Sequence, residues 1–258
     1  MPSSNVDWDI KGSVGTVTIN RPEARNALTW EMYDALVEAC DVAEADPNVR
    51  VLIIRGSDGA FAAGTDISQF RDFEGGDDGV AYERRLEAVI DRIERLPFIT
   101  IAEVDGPAVG GGCAIAMACD LRFCSTRATF GVPVARTLGN CLSITNTARM
   151  VDLLGVAMTK DLMISGRLVD ADEAYRARLA TRVYLSEDLS AEVMTIAVEL
   201  STRARSTVAA TKATLLRLRD HRRPPLGSAD DILRACYGST EFKEGVAAFL
   251  DGRKPRWP

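Results

Sequence analysis

One histidine stands among 258 residues: His221, in the run His221-Arg222-Arg223-Pro224-Pro225. A single imidazole excludes most histidine-rich zinc sites and leaves a Ser-His-Asp triad only one candidate base. Its Arg and Pro neighbours make His221 read as a solvated loop residue. The six cysteines (Cys40, Cys113, Cys119, Cys124, Cys141, Cys236) contain no C-x-x-C pair, which removes the usual zinc and dithiol motifs. Cys113 and Cys119 lie in an Ala-rich run, where a free thiol behaves as a small hydrophobe. Reduced thiols and a cytoplasmic location are the expectation. No stretch of about 18 apolar residues occurs, so no transmembrane helix and no membrane partner are expected. Met1 to Ile10 carries Asp7 and Asp9 and no apolar run, unlike a signal peptide. Positive charge is scarce: 31 Lys and Arg against 37 Asp and Glu give a formal charge of −6. There is no global positive field for nucleic acid, although a local basic pocket for an anionic ligand stays open. Glycine and proline, 20 and 10 residues, are too few for a low-complexity chain, and the length fits one large domain or one with a small appendage.

Strand and helix patterns alternate over the first half. Gly15 to Asn20 is β-branched and alternating, a strand. Thr29 caps a helix with Met32, Leu36, Cys40 and Ala43 at helical spacing. Val49 to Arg55 and Phe98 to Val104 read as strands buried on both faces. Asp72 to Gly79, acidic and Gly-rich, reads as a mobile loop before a charged amphipathic helix from Tyr82 to Leu96. Cys113 to Cys119 is helical and Leu121 to Cys124 a short strand. The alternation predicts an α/β fold. Beyond Leu138 the chain is mostly helical: Ile144–Leu154, Met158–Ile164, Ala171–Ala177, Leu189–Ala204, Ser206–Arg219 and two short helices in Asp230–Leu250.

The strongest chemical signal is Gly106-Pro107-Ala108-Val109-Gly110-Gly111-Gly112, between a buried strand and a small-residue helix. Glycines let backbone approach a ligand closely, and the helix start offers unsatisfied N–H groups. Neither a Walker loop nor G-x-G-x-x-G is present. A second such turn, Phe61-Ala62-Ala63-Gly64-Thr65-Asp66-Ile67, follows the previous strand. Parallel strands bring their carboxyl ends to one edge, so the two turns can face one crevice and set two amides on one oxygen, an oxyanion hole. Tight strand–helix packing is the alternative use of the glycines.

Ile19 to Leu28 (INRPEARNAL), the Phe61–Ile67 turn, Asp105 to Arg122 (DGPAVGGGCAIAMACDLR) and Phe242 to Pro255 (FKEGVAAFLDGRKP) together resemble the crotonase, or enoyl-CoA hydratase/isomerase, superfamily. The resemblance implies an α/β crotonase-type spiral of ββα units with a helical C-terminal trimerisation region, divided here as residues 1–195 and 196–258. It implies a homotrimer or hexamer and an acyl-CoA thioester, with CoA as part of the substrate and no separate cofactor. By motif position, Thr65 and Gly111 supply the oxyanion N–H groups. Arg25, Ala63, Asp66 and Ile67 lie along the CoA. Thr65 replaces the family's usual Ala or Gly.

The departures are informative. Where hydratases of the family carry one glutamate, two residues after the third glycine, Ala114 stands. Where they carry the second, after Phe-x-x-Pro, Val134 follows Phe130-Gly131-Val132-Pro133. Hydration needs a base for water and an acid for the α-carbon, each worth about 10²–10⁴-fold; a methyl and an isopropyl group supply neither. Several residues are candidates to replace them. Asn140 can hold a water or serve as a turn residue. Arg136 can grip a substrate carboxylate or remain a surface charge. Glu103, with the facing of Ile101 and Asp105, is either a buried acid/base with a raised pKa or a partner of Arg122. Tyr82, Glu83 and Arg85 either reach the acyl pocket or form a solvated helix face. Asp120 reads as structural. The expectation is an acyl-CoA enzyme with non-standard acid/base groups (decarboxylase, hydrolase, isomerase or restricted hydratase). A non-catalytic acyl-CoA-binding protein, or an oligomeric scaffold, are the alternatives.

Overall fold

The computed structural model describes residues 5–258; the start of the acidic opening segment, residues 1–4, lies outside them. In chain order the elements are β1 (Val6–Lys11), β2 (Val14–Ile19), α1 (Trp30–Ala45), β3 (Val51–Gly56), α2 (Gly76–Glu94), β4 (Ile99–Val104), β5 (Pro107–Val109) and α3 (Gly111–Ala118). There follow β6 (Leu121–Ser125), β7 (Thr129–Gly131), α4 (Val134–Thr137), α5 (Ile144–Ser165), β8 (Val169–Asp170), α6 (Ala171–Arg176) and β9 (Arg182–Tyr184). The chain ends in α7 (Ser186–Ser201), α8 (Arg205–Arg222), α9 (Asp230–Tyr237) and α10 (Thr240–Leu250).

One sheet runs β1-β2-β3-β4-β6-β9, with β1 antiparallel to β2 and the other pairs parallel. A second layer holds β5-β7-β8 and two single bridges, Leu28 to Thr65 and Ala62 to Ala108. Each turn of the chain thus gives a long strand to the first sheet, a short extended piece to the second layer, and then a helix. This is the expected spiral of strand–strand–helix units.

Residue alternation decides which side of the sheet each position meets. Leu52, Ile54, Ala102 and Val104 join the main core with α1, α2 and α3. Val51, Ile53 and Ile101 pack on the other side against Leu189, Val193 and Ala197 of α7. That double burial is why β3 and β4 read as largely apolar strands. Thr29 caps α1 by accepting from the Met32 amide at 3.4 Å, and Met32, Leu36, Cys40 and Ala43 are buried as their spacing requires.

Several expectations are corrected. The stretch Asp72–Gly79 is not a loop throughout: α2 begins at Gly76. Asp78 accepts from the amides of Glu74 and Gly75, holding the helix start. The glycine at 79 serves close packing rather than mobility, since a Cβ there would collide with the Tyr237 ring. β1, β5, β7, β8 and β9 escaped the sequence reading. α5 joins the two helices expected at 144–154 and 158–164, and it bends at Gly155, whose φ is +72°. His221 is exposed as expected, but in the last turn of α8 rather than in a loop. The division expected at 195/196 falls inside α7. No helix among the described residues is long and apolar enough to cross a membrane.

Candidate active site

A cavity of about 610 Å³ opens where the two glycine turns meet α2, the 132–142 segment and α10. Arg25 and Ala63 stand at one part of its wall, with Asp66 and Ile67 beside them. Asp66 is already engaged: it accepts from Ser68 N at 3.0 Å and pairs with Arg21 at 2.6 Å. Partial burial would raise its carboxyl, but the Ser68 and Arg21 bonds hold it below the ordinary value.

The turns are locked side by side. Val109 donates to the Ala62 carbonyl at 2.9 Å. A Cβ at Gly112 would collide with that same carbonyl, so only glycine permits the approach. Leu28 donates to Gly64 O, and Asp66 donates to Leu28 O, both at 2.8 Å. In such a parallel bridge the intervening amide, Thr65 N, points away from Leu28. Gly111 opens α3, so its amide has no helical acceptor. Both residues line the cavity, and neither amide has an acceptor among the described residues.

The Thr65 side chain does more than its sequence position suggested. Its Oγ1 lies 2.8 Å from the hydroxyls of both Tyr33 and Tyr82, all three groups buried. Burial pushes both phenols above their ordinary pKa, so they remain neutral O–H groups. Three hydroxyl hydrogens serve two hydrogen bonds, and one is left to donate elsewhere.

Glu83 of α2 lines the same cavity as the turns. It is 3% exposed and lines the cavity with Tyr82, Leu86, Asn140, Cys141 and Leu142. Its Oε2 accepts from the Ser143 amide at 2.7 Å, and its Oε1 accepts from the Tyr237 hydroxyl at 2.8 Å. Asn140 Nδ2 in turn donates to that hydroxyl at 3.1 Å. The Asn140 Oδ1 is buried and has no partner among the described residues. Desolvation dominates the Glu83 carboxyl and pushes it up to about 7, against the two donated hydrogen bonds. The solvated-face reading of Tyr82 and Glu83 is therefore corrected, while Arg85 does sit outside, paired with Asp34 at 2.6 Å. The available signal was periodic: Gly79, Glu83, Leu86, Ile90 and Ile93 fall on one stripe of α2. Nothing in the local sequence marked Tyr33 or Tyr237.

The two positions without carboxylates differ in setting. Val134 lines the cavity, whereas Ala114 is sealed in the core. Glu103 is placed elsewhere. Alternation turns it with Ile101 toward α7, where it lies 3.9 Å from Arg55. Burial raises its pKa, as expected, but it does not line the cavity. Nor does it pair with Arg122, which faces the other way and donates to the carbonyls of Cys119 and Leu179. Arg136 is exposed on α4, off the cavity wall. Asp120 is structural: it accepts from Thr100 N at 2.7 Å and Lys212 Nζ at 2.6 Å. Among the described residues no cluster of His, Cys, Asp and Glu is arranged to hold a metal.

The sequence profile of the enoyl-CoA hydratase/isomerase family matches residues 9–258. The chain is 33% identical over 270 residues to the crotonyl-CoA hydratase of Syntrophomonas wolfei, covering 98% of each protein. It is 32% identical over 259 residues to the short-chain-enoyl-CoA hydratase of Clostridium acetobutylicum, covering 98% of this chain and 97% of that one. Its backbone superposes on a methylmalonyl-CoA decarboxylase in complex with 2-nitronate-propionyl-CoA with a TM-score of 0.89, at 25% identity and 98% coverage of both chains. With the strand–strand–helix spiral and the paired glycine turns already in place, these matches along almost the whole chain assign it to the enoyl-CoA hydratase/isomerase family.

Proposed function

We propose that the cavity binds an acyl-CoA thioester with its carbonyl oxygen between the Thr65 and Gly111 amides, and that the enzyme works through the thioester enolate. The observation that carries this reading is the pair of unclaimed amides on adjacent, locked turns at the cavity wall. Developing negative charge on the thioester oxygen meets two fixed N–H dipoles, and losing one such donor typically costs about 3–4 kcal/mol of transition-state stabilisation. CoA enters as part of the substrate along Arg25, Ala63, Asp66 and Ile67, and the acyl chain points toward Phe70, Leu86 and Leu142. Ala114 and Val134 argue against ordinary two-carboxylate hydration. The expected trimer or hexamer stays part of the proposal; exposed Leu215, Leu218 and Ile232 on α8 and α9 support it.

The test is carbonyl-¹³C butyryl-CoA followed by NMR. Two amide donors polarise the carbonyl, so the bound signal moves downfield from the free one. An unmoved signal in a saturated complex removes the oxyanion site. A second reading, a binder without catalysis, rests on the two apolar residues at 114 and 134. It predicts the same shift and no change in the bound thioester on any timescale.

A further inference from the structure

We infer that Glu83, reaching in from α2, is the group that takes a proton from the acyl carbon next to the thioester and returns it. This deepens the enolate reading above and rests on it.

Glu83 lines the same cavity as Thr65 and Gly111. It is held from two directions, by the Ser143 amide and the Tyr237 hydroxyl, so its position does not depend on a ligand. The arginines beside it in the sequence are used elsewhere, Arg84 on Asp230 at 2.5 Å and Arg85 on Asp34 at 2.6 Å. Among the described residues no cation pairs with Glu83. The groups around it are Tyr82 and Glu87 from α2, Tyr33 from α1, Tyr237 and Cys236 from α9, and Asn140, Cys141 and the Ser143 amide from the segment before α5. The second acidic side chain among them, Glu87, is paired with Arg149 at 3.0 Å. A carboxyl desolvated in this way exchanges its proton near pH 7, where a general acid/base is most effective. A purely structural carboxylate would more usually be matched with a cation.

The step balances within the site. The Glu83 carboxylate removes one α-hydrogen as a proton. The C–H electron pair forms the new C=C bond, and the thioester C=O π pair moves onto oxygen, facing the Thr65 and Gly111 amides. Return of the proton to the α-carbon regenerates the substrate. Return to the γ-carbon of a 3-enoyl chain yields the 2-enoyl isomer. No co-reactant is consumed, and one carboxyl suffices where hydration would need two.

The experiment is α-hydrogen exchange of butyryl-CoA in D₂O, read by mass spectrometry, with affinity measured by calorimetry and the carbonyl-¹³C shift recorded alongside. The wild-type protein is expected to catalyse exchange, with a rate that rises as pH passes through about 7. Glu83→Gln, nearly isosteric and still able to accept from Ser143, is expected to lose about 10²–10⁴-fold in exchange while keeping affinity and the carbonyl shift. Tyr237→Phe removes a donor that favours the ionised carboxyl, so the pH midpoint moves upward. Glu103→Gln, outside the cavity, is the control and exchanges like wild type. Exchange within a few fold of wild type in Glu83→Gln, or a wild type that shifts the carbonyl but exchanges nothing, overturns the assignment and leaves the oxyanion site standing. Absence of the carbonyl shift overturns the oxyanion site itself.

Discussion

The Tyr237 hydroxyl donates to Glu83 Oε1 at 2.8 Å, joining two helices across 154 positions of chain. The contact is possible because Gly79, one turn before Glu83 on α2, leaves room for the Tyr237 ring. A residue of the C-terminal helices therefore holds a cavity-lining side chain in place. That region is part of the site's support and not only an appendage.

Glu83 makes folding stability depend on pH. Its folded pKa, about 7, lies above its ordinary value near 4.5. The stability that Glu83 contributes is complete below pH 4.5, falls as pH rises toward 7, and levels off above it. The loss amounts to at most about 3 kcal/mol. Glu83→Gln should therefore melt higher than wild type at pH 8 and show little difference at pH 4.5. Scanning calorimetry at the two values checks it; a variant that melts lower at pH 8 refutes the sign.

Gly79→Ala improves helix propensity by about 1 kcal/mol on an open surface. Here the added methyl meets the Tyr237 ring, and overpacking costs about 1–3 kcal/mol. Net destabilisation in urea titration is expected, together with displacement of Tyr237 from Glu83. A more stable variant would mean that α9 moves aside freely.

Thr65→Val keeps the backbone amide but leaves the Tyr33 and Tyr82 hydroxyls without their shared partner. Unsatisfied buried hydroxyls cost about 1–3 kcal/mol. Thr65→Ser should retain most of the wild-type stability. Equal unfolding midpoints for the valine and serine variants would show that the tyrosines find other acceptors.

Crotonyl-CoA hydration should run far below the rate of a two-glutamate hydratase. Each missing acid or base is worth about 10²–10⁴-fold. Loss of the conjugated-thioester absorbance reports the rate directly, and turnover at an ordinary hydratase level would reveal a second acid/base group.

Glu103→Gln should leave thioester chemistry intact, because Glu103 faces α7 across the sheet from the cavity. Burial raises its pKa, so the amide should be neutral or slightly stabilising at pH 7. A lowered turnover with unchanged melting would return it to the mechanism.

The sequence announced its fold through strand patterns and four ordered motifs, and those same motifs located one wall of the cavity. Glycines at 110–112 and 64 are legible because backbone demands leave few substitutes. The rest of the cavity is harder to read, since it is assembled from α2, the 132–142 segment and α10, far apart in sequence. Glu83 looked like one more charge on a charged helix; only its place in the stripe with Leu86 and Ile90 told otherwise. Glu103 misled for the converse reason. Its strand position correctly gave burial, but burial against α7 is not burial against the substrate. Gly76 and Gly79 suggested slack where the structure uses them for contact, because absence of a side chain serves both ends.

The Tyr33–Thr65–Tyr82 chain has a consequence of its own. Its hydrogen bonds can reverse polarity by hydroxyl rotation alone, with no heavy atom displaced. A ligand that presents an acceptor near Tyr82, which lines the cavity, can then draw the spare hydrogen toward itself. One rigid wall can in this way meet acceptors at different positions without rebuilding.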